Sequence, residues 1–341
     1  MEKAKITFYQ IDRCGYYRKG QKDPEFGNIR DIVTELELWA FDMKFGQTCT
    51  YEPNGNEGSN KTYCFDVVHD DIKDNFLLVT WNGVPSTKGT IASVKSLDSV
   101  GSAEVDMTDL PKDSIPGYAT YFWIIPSKDV FATIQFQHRQ NGRRNLHKYL
   151  EHFLTKFTYN VVYDPDDSSQ IEGYRSTSSG KADSQLSPQF NSVPYRKVGA
   201  IPFIRSNRER IRKVISKTTL SFRVPDGQAL WQKLLLLAGV VEPSAPEEQT
   251  KRFKFELEHT PTEEELEQMI SSCDRNGWDY GWDDTVFMLQ GDNRTHWLSH
   301  CYAHEVFQIN AARKNSEIVH PHSLLDELIA RRDEILKLLT A

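Results

Sequence analysis

Cysteine is scarce in this chain and never paired by spacing. The five residues (Cys14, Cys49, Cys64, Cys273, Cys301) are odd in number and form no CxxC. That excludes a disulfide framework and points to a reducing compartment, so cytoplasm is the expected location. Long apolar runs are missing too. Nothing approaches the 18 consecutive apolar residues of a membrane helix, so no membrane insertion is expected. Met1 to Lys5 leads into a β-prone stretch with no signal-peptide h-region. No internal repeat recurs at a fixed period, which excludes a solenoid. An excess of positive charge is also lacking, since the 341 residues carry a net charge of −7.

That negative total hides an asymmetry. Residues 1–130 hold 14 basic and 20 acidic side chains, residues 131–240 hold 17 and 8, and residues 241–341 hold 10 and 20. The densest part is Arg196 to Arg223. It contains nine cations (Arg196, Lys197, Arg205, Arg208, Arg210, Arg212, Lys213, Lys217, Arg223) and one acid, Glu209. Positive charge concentrated on an acidic chain is the usual footprint of contact with a phosphate backbone. Six of the nine are arginine, the better bidentate phosphate ligand. Thr219 and Ser221 place hydroxyls between cations. Arg139, Arg143, Arg144 and Lys148 form a second basic patch. The bland alternative is a solvated surface, or one that meets the acidic ends of the same chain or of another copy.

Periodicity predicts an α+β protein of two domains, with mostly antiparallel sheets flanked by helices. Ile6 to Ile11 reads as a strand. Ile29, Ile32, Val33, Leu36 and Ala40 fall at helical spacing. Residues 52–61 read as a turn or loop, and short strands follow at 62–68 and 76–81. Tyr118 to Ile125 and Val130 to Gln137 flank Pro126-Ser127-Lys128-Asp129 as a hairpin. Gly142 opens a helix burying Leu146, Tyr149, Leu150, Phe153 and Phe157. Residues 164–194, rich in Ser, Asp, Gly and Gln, read as a linker or mobile loop. They divide an N-terminal α+β domain (1–163) from a C-terminal one (195–341) with a basic surface and an acidic helical extension.

In the second part, Ser206 with Glu209 reads as a capping box before a helix at 207–216. Lys217 to Val224 alternates as a strand with a basic, hydroxyl-bearing open face. Pro225-Asp226 starts an apolar helix that Gly239 stops. A strand at 251–257 precedes a second capping box (Thr260, Pro261, Glu263) and a helix with Leu266, Met269, Ile270 and Cys273. A strand near 285–290 and helices at 295–312 and 324–339 complete the chain.

Several constellations invite catalytic readings. His296, His300 and His304 would share one stripe of a helix, and histidines four apart can chelate zinc. They are weak metal candidates, because the His-Glu-x-x-His order is absent. Asp70, Asp71 and Asp74 after His69 suit a nuclease metal, although a charged turn between strands is the commoner meaning. Ser178-Ser179-Gly180-Lys181 is no P-loop: Arg175 stands where its first glycine belongs, and Ala182 follows the lysine. Trp278, Tyr280 and Trp282 alternate with acids that would repel phosphates, so they read as packing or a protein interface. No catalytic residue and no cofactor is assigned.

The order of elements resembles the RexA phage-exclusion family of lambdoid prophages. The resemblance is carried by Thr7-Phe8-Tyr9, by Phe122-Trp123-Ile124-Ile125 with Phe131-Ala132-Thr133, and by a helix ending Tyr149-Leu150. It continues in Lys217-Thr218-Thr219-Leu220, Pro225 and Trp231-Gln232-Lys233-Leu234-Leu235 before Gly239. It covers roughly residues 5–270. It implies a cytoplasmic abortive-infection protein, a DNA-binding dimer that senses a phage replication or recombination intermediate and signals to a second defence protein; the basic surface itself, with no zinc-finger, RNP or KH signature, leads to the expectation of double-stranded DNA bound through its backbone without sequence preference. Only Lys217, Thr218 and Thr219 carry over by position. A metal-dependent nuclease and a homo-oligomeric interaction protein are the alternatives.

Overall fold

One strand organises the larger part of the molecule. In a computed structural model describing residues 1–41, 43–53, 61–70, 72, 74–84, 90–94, 105–112, 114–136, 140–177, 180–197, 200–221, 250–276, 284–292, 294–298 and 301–340, β1 runs unbroken over Glu2–Arg18. The chain divides into two compact units. Unit 1 comprises residues 1–197 and 302–341, and unit 2 comprises residues 198–301.

Unit 1 continues with α1 (Ile29–Ala40), β2 (Thr62–Asp70), β3 (Asn75–Gly83), β4 (Thr90–Val94), β5 (Val105–Asp109), β6 (Gly117–Ile125) and β7 (Val130–Phe136). It goes on through α2 (Arg143–Lys156), β8 (Val161–Tyr163), β9 (Ile171–Tyr174) and β10 (Leu186–Pro194). Unit 2 holds α3 (Ala200–Ser206), β11 (Ile211–Ser221), β12 (Thr250–Leu257), α4 (Glu263–Asn276), β13 (Asp284–Leu289) and β14 (Thr295–Trp297). The chain then returns to unit 1 as β15 (His304–Ile309), α5 (Pro321–Ala330) and α6 (Arg332–Leu336).

The main sheet of unit 1 has the order β10-β1-β7-β6-β3-β2, with β15 also on β1, and every pairing is antiparallel. Both faces are covered. One packs Ile6, Phe8, Leu77 and Trp123 against Leu324, Leu325 and Leu328 of α5 and Ile335 of α6. The other packs Tyr9, Leu78, Phe122 and Phe131 against Ile32, Val33 and Leu36 of α1 and Leu146, Tyr149, Leu150 and Phe153 of α2. A sheet covered on both sides needs strands that are apolar on both sides, and the run Tyr121 to Ile125 is wholly buried. The buried Trp123 indole donates to Asn75 Oδ1 at 3.0 Å, which satisfies its one polar atom.

Two partners share one edge of β1. Residues 2–7 pair with β15 and residues 9–18 pair with β10. They meet at Phe8. Phe8 N donates to Ala303 O at 2.9 Å, Tyr195 N donates to Phe8 O at 2.9 Å, and Ala303 N donates to Tyr195 O at 2.8 Å. Arg196 and Tyr302 form a bridge beside this seam. The points where the chain leaves and re-enters unit 1 are therefore neighbours.

The α+β class and the antiparallel sheets agree with the sequence, as do α1, the β6–β7 hairpin and α2. Several expectations do not hold. Residues 164–194 are not a linker: β9 and β10 lie within them, and β10 alternates in burial as it pairs with β1. The boundary of the second unit accordingly moves to 198, and the last forty residues return to the first unit. No helix spans 207–216. α3 ends at Ser206, a 3-10 turn covers Arg208–Arg210, and β11 begins at Ile211, where β-branched residues pair with strands on both sides. Where a helix is expected at 295–312 the chain forms β14 and β15, and the terminal helix breaks at Arg331 into α5 and α6. The second capping box is shifted, since it is Thr262 Oγ1 that accepts from Glu265 N at 3.2 Å while Glu265 Oε2 accepts from Thr262 N at 2.8 Å. The helix expected after Pro225 lies outside the described residues.

The closed seam has a direct consequence. A chain in which residues 198–301 are replaced by a short Gly-Ser linker is expected to fold, with a cooperative thermal transition and a near-ultraviolet dichroism signal from the buried aromatics. A non-cooperative melt without that signal contradicts the insertion.

Candidate nucleic-acid interface

Among its described residues, unit 2 forms an antiparallel sheet of four strands in the order β12-β11-β13-β14. One face carries the core, where Ile201 and Ile204 of α3 and Leu266 and Ile270 of α4 pack on Ile211, Val214, Phe287 and Leu289. Register defines the other face. Ile215 lies opposite Glu256 and Val286, and Lys217 lies opposite Lys254 and Asp284. Val286 lies opposite Trp297. Lys217 Nζ is 4.3 Å from the centroid of the Trp297 ring, a cation–π contact. Glu256 pairs with Lys213 at 3.2 Å and Lys254 at 2.7 Å. The hydrogen bonds from those two lysines hold its carboxyl below the usual range.

The start of β11 is irregular. Its register with β13 shifts between Ile211 and Lys213, so Arg212 is the extra residue of a bulge. Arg212 is exposed and has no hydrogen bond or ion pair among the described residues. Arg210, two residues earlier, donates to Asn207 Oδ1 at 2.9 Å and to Gln290 O at 3.0 Å. These bonds stitch the entry of β11 to the turn that carries Arg294. The Arg294 side chain is 81% exposed and pairs with Asp292 at 3.2 Å. The Asp292 carboxyl is pulled far below its usual range by the Arg294 backbone N–H, then by the Arg294 guanidinium and His296. Arg208, Arg210, Arg212 and Arg294 thus gather at one end of the sheet.

Much of the remaining positive charge is already engaged. Arg205 donates from Nε and one terminal nitrogen to the two carboxylate oxygens of Glu267, at 2.6 and 2.8 Å. Arg208 donates to Pro261 O at 2.9 Å and to Glu209 at 3.3 Å. In unit 1, Arg143 donates to the Ser192 hydroxyl and carbonyl and lies 4.9 Å over the Tyr9 ring. His147, on the same helix, bonds the same hydroxyl. Arg144 is exposed, while Lys148, Arg196 and Lys197 are half-buried. Arg139, Arg223 and His300 lie outside the described residues, as does the side chain of Thr219; so do Asp71, Trp278, Tyr280 and Trp282.

The sequence candidates are divided between the two units. Arg143, Arg144, Lys148, Arg196 and Lys197 belong to unit 1; Arg205, Arg208, Arg212, Lys213 and Lys217 belong to unit 2. Unit 2 holds 13 basic and 16 acidic residues, so it is acidic overall. The expectation of one broad arginine face gives way to a few local cations among carboxylates. His296 sits on β14 and His304 on β15, so the helical histidine stripe does not form. His69 bonds Glu37 at 3.0 Å and Asp74 bonds Arg30 at 2.5 Å, contacts that tie the β2–β3 turn to α1.

The chain matches no family model, no curated protein and no solved structure.

Arg294, Lys254 and Trp297 escaped the sequence reading. Their proximity to the β11 cations comes from strand register, and no local motif announces it.

His147 gives this assignment a pH signature. Burial, reinforced by Arg143, lowers its pKa from 6.5 to about 3. The unfolded chain then takes up this proton below pH 6.5 while the native chain does not. The stabilisation is complete above pH 6.5 and is lost progressively as the pH falls toward 3, by on the order of a few kcal/mol. Replacing His147→Gln should flatten the stability–pH profile in that interval, measured by urea unfolding. An unchanged profile would show the imidazole to be solvated and the patch to be open.

Proposed function

We propose that this protein binds the backbone of nucleic acid, double-stranded DNA included, without sequence preference. The contact surface is the end of the unit 2 sheet where Arg208, Arg210, Arg212 and Arg294 gather. One observation supports this above the others: the bulge that leaves Arg212 exposed beside the Arg210–Gln290 contact. A bulged arginine with no partner among the described residues can meet a phosphate without first breaking an ion pair. The Arg294 guanidinium is itself largely exposed, and surface ion pairs are worth about 0–1 kcal/mol, so this arginine can turn from Asp292 to a phosphate. The acidic surroundings keep the contact local and weak.

The defence role is proposed with this binding and rests on the RexA-like order of elements. In that role the protein is a cytoplasmic homodimer that senses phage DNA and passes the signal to a second defence protein.

With Arg212 unpartnered among the described residues and its arginine neighbours only partly engaged, the contact involves about three phosphates, which sets the log–log salt slope near −3 instead of the steeper value nine free cations would give. The double replacement Arg212→Glu, Arg294→Glu should lower duplex affinity by about tenfold or more and flatten the slope, since each lost phosphate contact removes about one unit. Filter binding between low and physiological salt measures both. Binding independent of salt, or equal in the double variant, contradicts the proposal.

A further inference from the structure

Beside the arginine end of unit 2 is a cavity of about 360 Å³ lined by Phe203, Ile204, Arg294, Thr295, His296, Trp297 and Cys301. Its floor is apolar, for Ile204 and Cys301 are almost completely buried. Phe203, on α3, is 41% exposed. Its ring centroid is 5.2 Å from that of His296, with the planes inclined by 35°. His296 is fixed by Asp292 Oδ2 at 3.0 Å from its Nε2. The same aspartate holds Arg294 at the rim. A half-exposed phenylalanine, an immobilised imidazole and an exposed guanidinium therefore surround one apolar recess.

We propose that this recess takes an unpaired nucleobase of a single-stranded nucleic acid, stacked against Phe203 and His296, with its phosphate on Arg294. The inference rests on the nucleic-acid reading above and narrows its ligand. A nucleobase has flat apolar faces and is attached to an anionic backbone, and the recess offers an aromatic wall next to a cation. Aromatic platforms beside cations are the general means of holding single strands, because every base has a π-face. Bases within a duplex have their faces already stacked and would have to be extruded, at a cost of a few kcal/mol. The recess thus favours single strands, whereas the arginine end alone does not distinguish them from duplex.

The test is a fluorescence-anisotropy titration of the whole protein with labelled oligothymidylate and, separately, with labelled duplex at the same salt. Wild type, Phe203→Ala, Phe203→Trp and the double arginine variant are compared after confirming equal thermal transitions. Wild type should prefer oligothymidylate. Phe203→Ala should weaken it by about five- to a hundredfold, the range for losing one stacked base, and leave duplex binding within about twofold. Phe203→Trp, which keeps a stacking ring, should retain the preference. Equal weakening of both ligands by Phe203→Ala, or no weakening of either, overturns the base site and leaves backbone binding standing. Absence of binding to both ligands by wild type at low salt overturns backbone binding and the base site together.

Discussion

The architecture depends on the backbone of Phe8. At that residue one edge of β1 passes from β15 to β10, and the amide and carbonyl of Phe8 are taken by Ala303 and Tyr195. A buried peptide group without a partner costs roughly 1–3 kcal/mol, so a gap between two strands on the same edge would be penalised at each unpaired group. The third bond, from Ala303 to Tyr195, closes the gap. It also fixes a strand from near the end of the chain beside its first residues. Unit 2 can be a separate excursion of the chain because its two ends are tied to the same point of unit 1.

That excursion divides the positively charged segment of the sequence between the two units. The positive middle segment begins near α2 and ends beyond β11, so it crosses the junction at residue 198. Its first cations serve unit 1, where Arg143 and His147 fasten α2 to Ser192 of β10. Its later ones serve unit 2, where Glu267 and Glu256, well outside the segment, neutralise Arg205 and Lys213. What survives for binding is set by detail: a one-residue bulge at Arg212 and a turn that brings up Arg294.

The legible parts of the fold were those governed by local periodicity. α1 and α2 bury the faces read from helical spacing, and the β6–β7 hairpin turns where Pro126 and Asp129 mark it, with Asp129 at a φ of 49°. Alternation located β11 but not its beginning. Ser206 and Glu209 imitate a helix start, and pairing with β12 and β13 overrides them. The histidines four apart imitate a helix as well, yet Phe307 and Ile309 alternate with exposed neighbours and pair with β1. The polar composition of 164–194 concealed β10, an edge partner with one side to the core and one to solvent. Of the candidate site, Arg212 was legible by charge. Phe203, Arg294 and Trp297 were not, because only register and the fold of unit 2 bring them near the β11 cations.

Native-state hydrogen exchange at the Phe8, Tyr195 and Ala303 amides tests the central claim most directly. If the seam is the constraint that holds unit 1 closed, these three amides exchange together, at the slow limit set by global unfolding of unit 1. They keep that protection when the chain is cleaved within unit 2. Rapid and independent exchange, or protection that disappears on cleavage, would contradict the account.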